Sequence, residues 1–272
     1  MFLITLNIFI FGAIIGSFLN VVILRYNNGI FKKSRSECFS CSHPLSFLDL
    51  VPILSFFFLE GRCRYCKSAI SVQYPLVEFL TALTFASTYL KLGEINFELF
   101  FYFIVWSLLI IIFIYDLRHK IIPNEIVYTL ITISLLKVAY FFVINKIGLG
   151  EIFSFDDFSL NHTILLLSGP ITASPFAFLW LISRGKWMGF GDAKLALFLG
   201  WFFGFWGAIS AVILAFWIGA VVGFLLILFS KIELLSQKFK SFTIKSEIPF
   251  APFLIIGFAI VFFADLNLLN FI

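Results

Sequence analysis

The chain has 272 residues, 61% of them hydrophobic and 12% charged, with 40 Phe and a formal net charge of +4. Soluble domains carry about 25% charged residues, which excludes a soluble globular fold. The apolar runs are long and continuous, near the ~20 residues a helix needs to span hydrocarbon, whereas barrel strands would alternate over about ten residues.

In chain order, the runs lie at 3 to 24, near 70 to 90, 97 to 115, 122 to 145, 162 to 182, 192 to 206, 207 to 230 and 250 to 267. The expected fold is all-α: a polytopic membrane protein with about eight transmembrane helices and a small cytoplasmic four-cysteine zinc-binding loop. The first run lacks a preceding basic stretch and a following small-x-small site, so it reads as a retained helix rather than a signal peptide. Its "GAIIG" at 12 to 16 suits a close helix contact between small residues. Only the glycines of "GWFFGFWGAIS" separate the sixth run from the seventh.

Lys and Arg collect on the cytoplasmic side of membrane proteins. The loops after the first, third, fifth and seventh runs hold 16 of the 19 basic residues, from Arg25 and Lys32 to Lys240 and Lys245. Eight helices with both termini on the outer side satisfy that bias; seven would strand the basic loop 231 to 247 on the wrong side. Lys137 falls inside a run and is expected to snorkel outward. Three segments follow: the first transmembrane helix (1–24), a polar cytoplasmic loop (25–69) and a seven-helix membrane domain (70–272).

The polar loop holds all four cysteines, Cys38 and Cys41 in "CFSC" and Cys63 and Cys66 in "CRYC". Two CxxC pairs about twenty residues apart let four thiolates converge on a tetrahedral structural zinc ion. Two disulfides or incidental thiols are the competing reading, and a reducing cytoplasm disfavours the disulfides. Arg62, Arg64 and Lys67 are placed to keep the thiolates ionised, and His43 is a candidate substitute ligand or a solvated side chain.

Two acids stand at the membrane edge. Asp116 closes the third run at its inner end and Asp192 opens the sixth from the same side. An ionised Asp costs about 2.5 to 3.5 kcal/mol at a helix centre by insertion scales, so a compensating role is expected. Two carboxylates at one depth can hold a water between them, one as base and one as acid. The positive end of the sixth helix favours charge on Asp192, and the negative end of the third disfavours it on Asp116. On that basis Asp192 is the resting base and Asp116 the resting acid. Gly189 and Gly191 flank Phe190 just before Asp192, and glycines there let a substrate backbone approach or permit positive φ. A cap role also suits Asp192, though not Asp116, and the residues alone leave catalysis and capping both open. Glu78, inside the second run, reads either as functional or as an interhelical hydrogen-bond acceptor. Glu125 suits the first turn of the fourth helix, and His119 and His162 the solvated ends of theirs.

Six stretches together resemble the bacterial prepilin peptidases, a family of membrane aspartic proteases that also methylate their products. They are "GSFLNVVILR" at 16 to 25, "CFSC" with "DLVPILSF" at 49 to 56, "GRCRYCKSAISVQYPLVEFLTAL" at 61 to 83, "YDLRHKIIP" at 115 to 123, "GFGDAKLALFLGW" at 189 to 201 and "IPFAPFL" at 248 to 254. The resemblance implies cleavage of the basic leader of type 4 prepilins and pseudopilins at the cytoplasmic face of the bacterial inner membrane. It further implies N-methylation of the new terminus from S-adenosylmethionine. The family's catalytic aspartates fall on Asp116 and Asp192, its cysteines on Cys38, Cys41, Cys63 and Cys66, and its methylation-linked glycine on Gly61. Phe39, Asn124, Trp187 and Ala251 stand where the family commonly has Pro, an acid, Gly and Gly. No glycine-rich nucleotide fingerprint supports methyl transfer independently, and no nucleic-acid partner is indicated. The competing classes are a proton- or ion-coupled transporter using the two acids and a membrane scaffold docking through the zinc loop.

Overall fold

The computed structural model describes residues 1–26, 36–147, 162–230 and 248–265. Lys32, Lys33, Arg35, the acidic loop with Glu151, Asp156 and Asp157, and the basic loop 231 to 247 lie outside the described residues, as does the His162 side chain. The helices are α1 (Phe2–Arg25), α2 (Leu54–Phe58), α3 (Gln73–Leu92), α4 (Phe97–His119), α5 (Asn124–Ile147), α6 (His162–Ser183), α7 (Phe190–Ser230) and α8 (Ala251–Ala264). Among the described residues there is no strand, only two isolated bridges. Five of the described helices are long and apolar enough to cross a membrane: α1, α4, α5, α6 and α7. The contacts divide the chain into two compact units, Met1–Ile114 and Tyr115–Ile272.

In the first unit α1 lies against α3. A Cβ at Gly12 would stand 2.7 Å from Ala82 Cα, and one at Gly16 2.6 Å from Glu78 Cα. The "GAIIG" pair is therefore the seam that lets the two backbones touch, as small residues do between membrane helices. Asn20, one turn beyond, donates from Nδ2 to the Tyr74 carbonyl (3.1 Å) and to the Gly16 carbonyl (3.3 Å). Phe103 of α4 stacks on Phe85 of α3 with ring centroids 4.0 Å apart, extending the same core.

In the second unit the long helix α7 is broken at Gly204, whose φ of 73° and ψ of −176° no helix contains. Before the break Phe198, Phe202 and Phe203 pack on Phe258 of α8. After it, Gly219 faces the Phe253 ring and Gly223 faces Ile248, so rising numbers on this half meet falling numbers on α8. The second half thus runs antiparallel to α8, and the break makes the sixth and seventh runs separate helices, here α7a (190–203) and α7b (205–230).

Lys137 does not snorkel outward. Its Nζ donates to the Phe202 carbonyl at 3.1 Å and sits 4.4 Å from the Phe202 ring centroid. A helix that ends inside apolar surroundings leaves carbonyls without partners, and a cation at that negative end satisfies them. α6 solves a related problem. Pro170 and Pro175 lie inside it and remove the N–H groups that would pair with Leu166 and Ile171. The Trp201 indole N–H takes the Leu166 carbonyl at 2.9 Å, and the Ser174 hydroxyl takes that of Ile171 at 2.8 Å. Membrane helices tolerate proline where side chains re-satisfy the freed groups in this way.

Candidate active site and metal centre

The second unit brings Asp116 and Asp192 together. Asp116 lies in the last turn of α4 and Asp192 in the first turn of α7a. They are 4% and 8% exposed and near enough to interact electrostatically. The link between their helices is steric. Ile122, six residues beyond Asp116, occupies the space a side chain at Gly191 would need, with its Cβ and Cδ1 each 2.9 Å from the position of such a Cβ. Only a residue without Cβ lets the segment after α4 rest on the start of α7a. Neither Gly189 nor Gly191 takes positive φ. The close approach expected at Gly191 is thus an internal one, with Ile122 as the neighbour; Gly189 stays open, its nearest neighbour being the Asp192 Oδ2 at 3.8 Å from a would-be Cβ.

Each carboxyl meets a helix start. Gly189 precedes α7a, and its N–H donates to the Asp192 side chain while the Asp192 N–H donates to the Gly189 carbonyl at 3.2 Å. That is the carboxylate half of a capping box. Asp116 accepts from the N–H of Ala251, the first residue of α8. Although the C-terminal end of its own helix opposes charge on Asp116, the N-terminus of α8 supports it. The expected separation into base and acid by helix dipoles therefore loses its basis. Ala251 is fully buried yet still makes this backbone contact despite its Cβ.

Lys194, one turn's edge from Asp192, donates from Nζ to Asn124 Oδ1 at 2.7 Å and lies 4.5 Å from the Tyr128 ring centroid. It ties the start of α5 to α7a. Phe190 is partly exposed and packs on Trp180 with centroids 5.0 Å apart. Sequence reasoning missed Ile122 and Lys194 as organisers of the site. Lys194 was visible two residues after Asp192, but nothing in the sequence pairs it with Asn124.

The four cysteines of the first unit also converge. Their sulfurs lie within 4.8 Å of one another, and Cys38 and Cys66 are 3.8 Å apart. A tetrahedron with metal–sulfur bonds of about 2.3 Å has edges of about 3.8 Å, so the donor set fits a single ion. The two halves repeat one backbone pattern at an offset of 25 residues. Cys38 N–H donates to His43 O and Cys63 N–H to Ser68 O; Ser42 and Lys67 have φ of 54° and 60°; Glu37 bridges Pro44 and Arg62 bridges Ala69. The side chains hide this repeat from the sequence. Backbone N–H groups of Cys41 and Ser40 lower the Cys38 thiol to about 6. At Cys41 the His43 backbone acts the same way, yet loss of hydration and the thiols of Cys66 and Cys38 push it up to about 11. A cation at the centre would remove that last proton, since metal ligation deprotonates thiols. His43 stacks on Tyr65, centroids 3.7 Å apart, outside the sulfur cluster. Arg64 pairs with Asp49 at 2.7 Å rather than with a thiolate. Gly61, two residues before Cys63, has φ of +66° and lies under the Phe56 ring.

Residues 10–92 match the bacterial peptidase A24 N-terminal domain, and residues 103–224 match the type IV leader peptidase family. A prepilin leader peptidase/N-methyltransferase of Aeromonas hydrophila is 32% identical over 278 residues, covering 92% of this chain and 87% of the relative. The chain belongs to the type IV leader peptidase family. Membership makes it a protease, and its spans and relatives make it a bacterial inner membrane protein. A relative of the same name from Myxococcus xanthus is 32% identical over 81% of this chain, which spans 62% of that relative. The Bacillus subtilis relative is 40% identical over 120 residues. No solved structure matches the chain.

Proposed function

We propose that this protein removes the basic leader of type 4 prepilins and pseudopilins at the cytoplasmic face of the inner membrane, with Asp116 and Asp192 as its catalytic pair. The observation that carries the reading is two buried carboxyls near enough to interact electrostatically, each fed by a helix-start N–H, in a chain of the leader peptidase family. A water held between them loses a proton to the ionised carboxylate as its oxygen attacks the scissile carbonyl carbon. The protonated partner gives its proton to the carbonyl oxygen, and collapse of the tetrahedral intermediate releases the leader acid and a new amine. Phe190 and the open Gly189 flank the approach to the pair and are the proposed substrate contacts.

The four-cysteine site is proposed to hold structural zinc, and the 25–69 loop with Gly61 to serve methylation, leaving peptide cleavage to residues 70–272. S-adenosylmethionine would supply an electrophilic methyl group to the newly exposed amine. Both termini are proposed to lie on the outer side, a reading that the loop charges support. The test is processing of a prepilin by purified protein, read by mass with and without S-adenosylmethionine. Wild type yields a shortened, methylated product. Asp116→Asn and Asp192→Asn should each lose cleavage by more than about 10³-fold, as removal of one member of a catalytic set does. Unimpaired processing by either variant overturns the assignment.

A further inference from the structure

Glu78 plays no part in the chemistry above, yet it is a carboxyl in the second turn of α3 and only 7% exposed. Its Oε2 accepts from the Ile53 N–H at 2.7 Å, and the Ser17 hydroxyl of α1 is a second partner. An interhelical bond alone would account for Ser17. It does not account for Ile53, which belongs to the cysteine-bearing loop and precedes α2.

Ile53 has φ of 62°, an outlier for a β-branched residue that persists only where neighbours enforce it. Three residues later the Phe56 ring covers Gly61, with Cζ 3.0 Å from where a Cβ would stand. The Gly61 N–H donates to Phe56 O at 2.8 Å, and the Ile70 N–H donates to Gly61 O at 2.7 Å. Arg62 then bridges Ala69, and Cys63 opens the second knuckle. One run of contacts therefore leads from the carboxylate in α3, through α2, to Gly61 and the metal centre. Glu78 itself is fixed, because α1 crosses its Cα at the Gly16 seam.

We infer that Glu78 is a positioning residue for methyl transfer: by accepting the Ile53 N–H it sets α2, and through Phe56 it sets Gly61. This rests on the assignment of methylation to the 25–69 loop. Full-length protein in detergent with a prepilin and S-adenosylmethionine tests it, with cleavage and methylation read from one mass spectrum. Glu78→Ala should cut the methylated fraction at least tenfold while cleavage and bound zinc stay within about twofold of wild type. Glu78→Gln, whose amide oxygen can still accept from Ile53, should restore methylation to within about threefold. Equal methylation by Glu78→Ala overturns the inference, as do a parallel fall in cleavage and methylation or a failure of Glu78→Gln to rescue. A wild-type product that is cleaved but never methylated overturns the parent assignment, and this inference with it, before any variant is made.

Discussion

Gly191→Ala should damage the active site although residue 191 has no chemistry. Carbon atoms prefer separations of about 3.5 to 4.0 Å. The new methyl would lie 2.9 Å from Ile122 Cβ and Cδ1 and 3.1 Å from Cγ1. Rotation of the side chain can move Cγ1 and Cδ1, but Cβ is bonded to the backbone and cannot swing aside, so the segment after α4 must move off α7a. Overpacking of this kind costs about 1 to 3 kcal/mol. The motion falls between the supports of Asp116 and Asp192, and a displacement of about 1 Å costs on the order of 10²-fold in rate. We expect kcat for prepilin cleavage to drop about 10- to 100-fold, with a lowered Tm. Adding Ile122→Ala removes Cγ1 and Cδ1 but keeps Cβ, and should recover part of both losses. Gly189→Ala is the control: its nearest neighbour would be 3.8 Å away, so Tm should be unchanged whatever happens to substrate binding. Equal melting temperatures for Gly189→Ala and Gly191→Ala, or wild-type turnover by Gly191→Ala, would refute the argument.

Three further outcomes follow from the same reading. Cys66→Ser should lose the bound metal, read by elemental analysis of purified protein, and with it methylation, while the carboxyl pair continues to cleave. Asp49 is buried, which raises its pKa, but hydrogen bonds from Ser46 and the Arg64 guanidinium outweigh this and hold it below the ordinary range. Its folded value is depressed, so its contribution is full above the unfolded value of about 3.9 and fades as pH falls through the folded one. Protection factors for amide exchange across 46–64, with the intrinsic pH dependence divided out, should therefore hold steady from pH 7 to about pH 4 and fall below, and Asp49→Asn should abolish that fall. Lys137→Met should leave the Phe202 carbonyl without its charged donor and lower stability by about 1.5 to 3 kcal/mol, measured as a shift in detergent melting; an unchanged Tm would show that the end of α7a is satisfied some other way.

The helical class and most spans were legible because a bilayer demands long apolar runs and a helix satisfies its own backbone. The weakest boundary, between the sixth and seventh runs, was legible only through the charge of the 231 to 247 loop; the fold places the turn at Gly204, one of several glycines in the right stretch. Lys137 was misjudged for a physical reason. Reading it as a snorkelling cation assumes that the nearest polar environment is the headgroup layer, whereas the broken end of α7a offers a carbonyl 3.1 Å away. The Pro170 and Trp201 pairing was hidden in the same way, since a proline states that a carbonyl has lost its donor but not which side chain replaces it.

The carboxyl pair itself was visible as two acids of matching depth, a one-dimensional deduction from charge bias. What sequence could not supply was the third element. Dipole reasoning used only the helices that carry the acids and so made Asp116 and Asp192 unequal; α8, beginning about 135 residues after Asp116 by the numbering, brings its first N–H to Asp116 and offsets the unfavourable end of α4. Two carboxyls that each sit on a helix start can exchange the roles of acid and base within one turnover, as peptide hydrolysis requires when the proton taken from water must later reach the departing amine. Under the proposed assignment α8 contributes more than packing, since Ala251, a residue with no ionisable group, would serve the candidate site through its backbone.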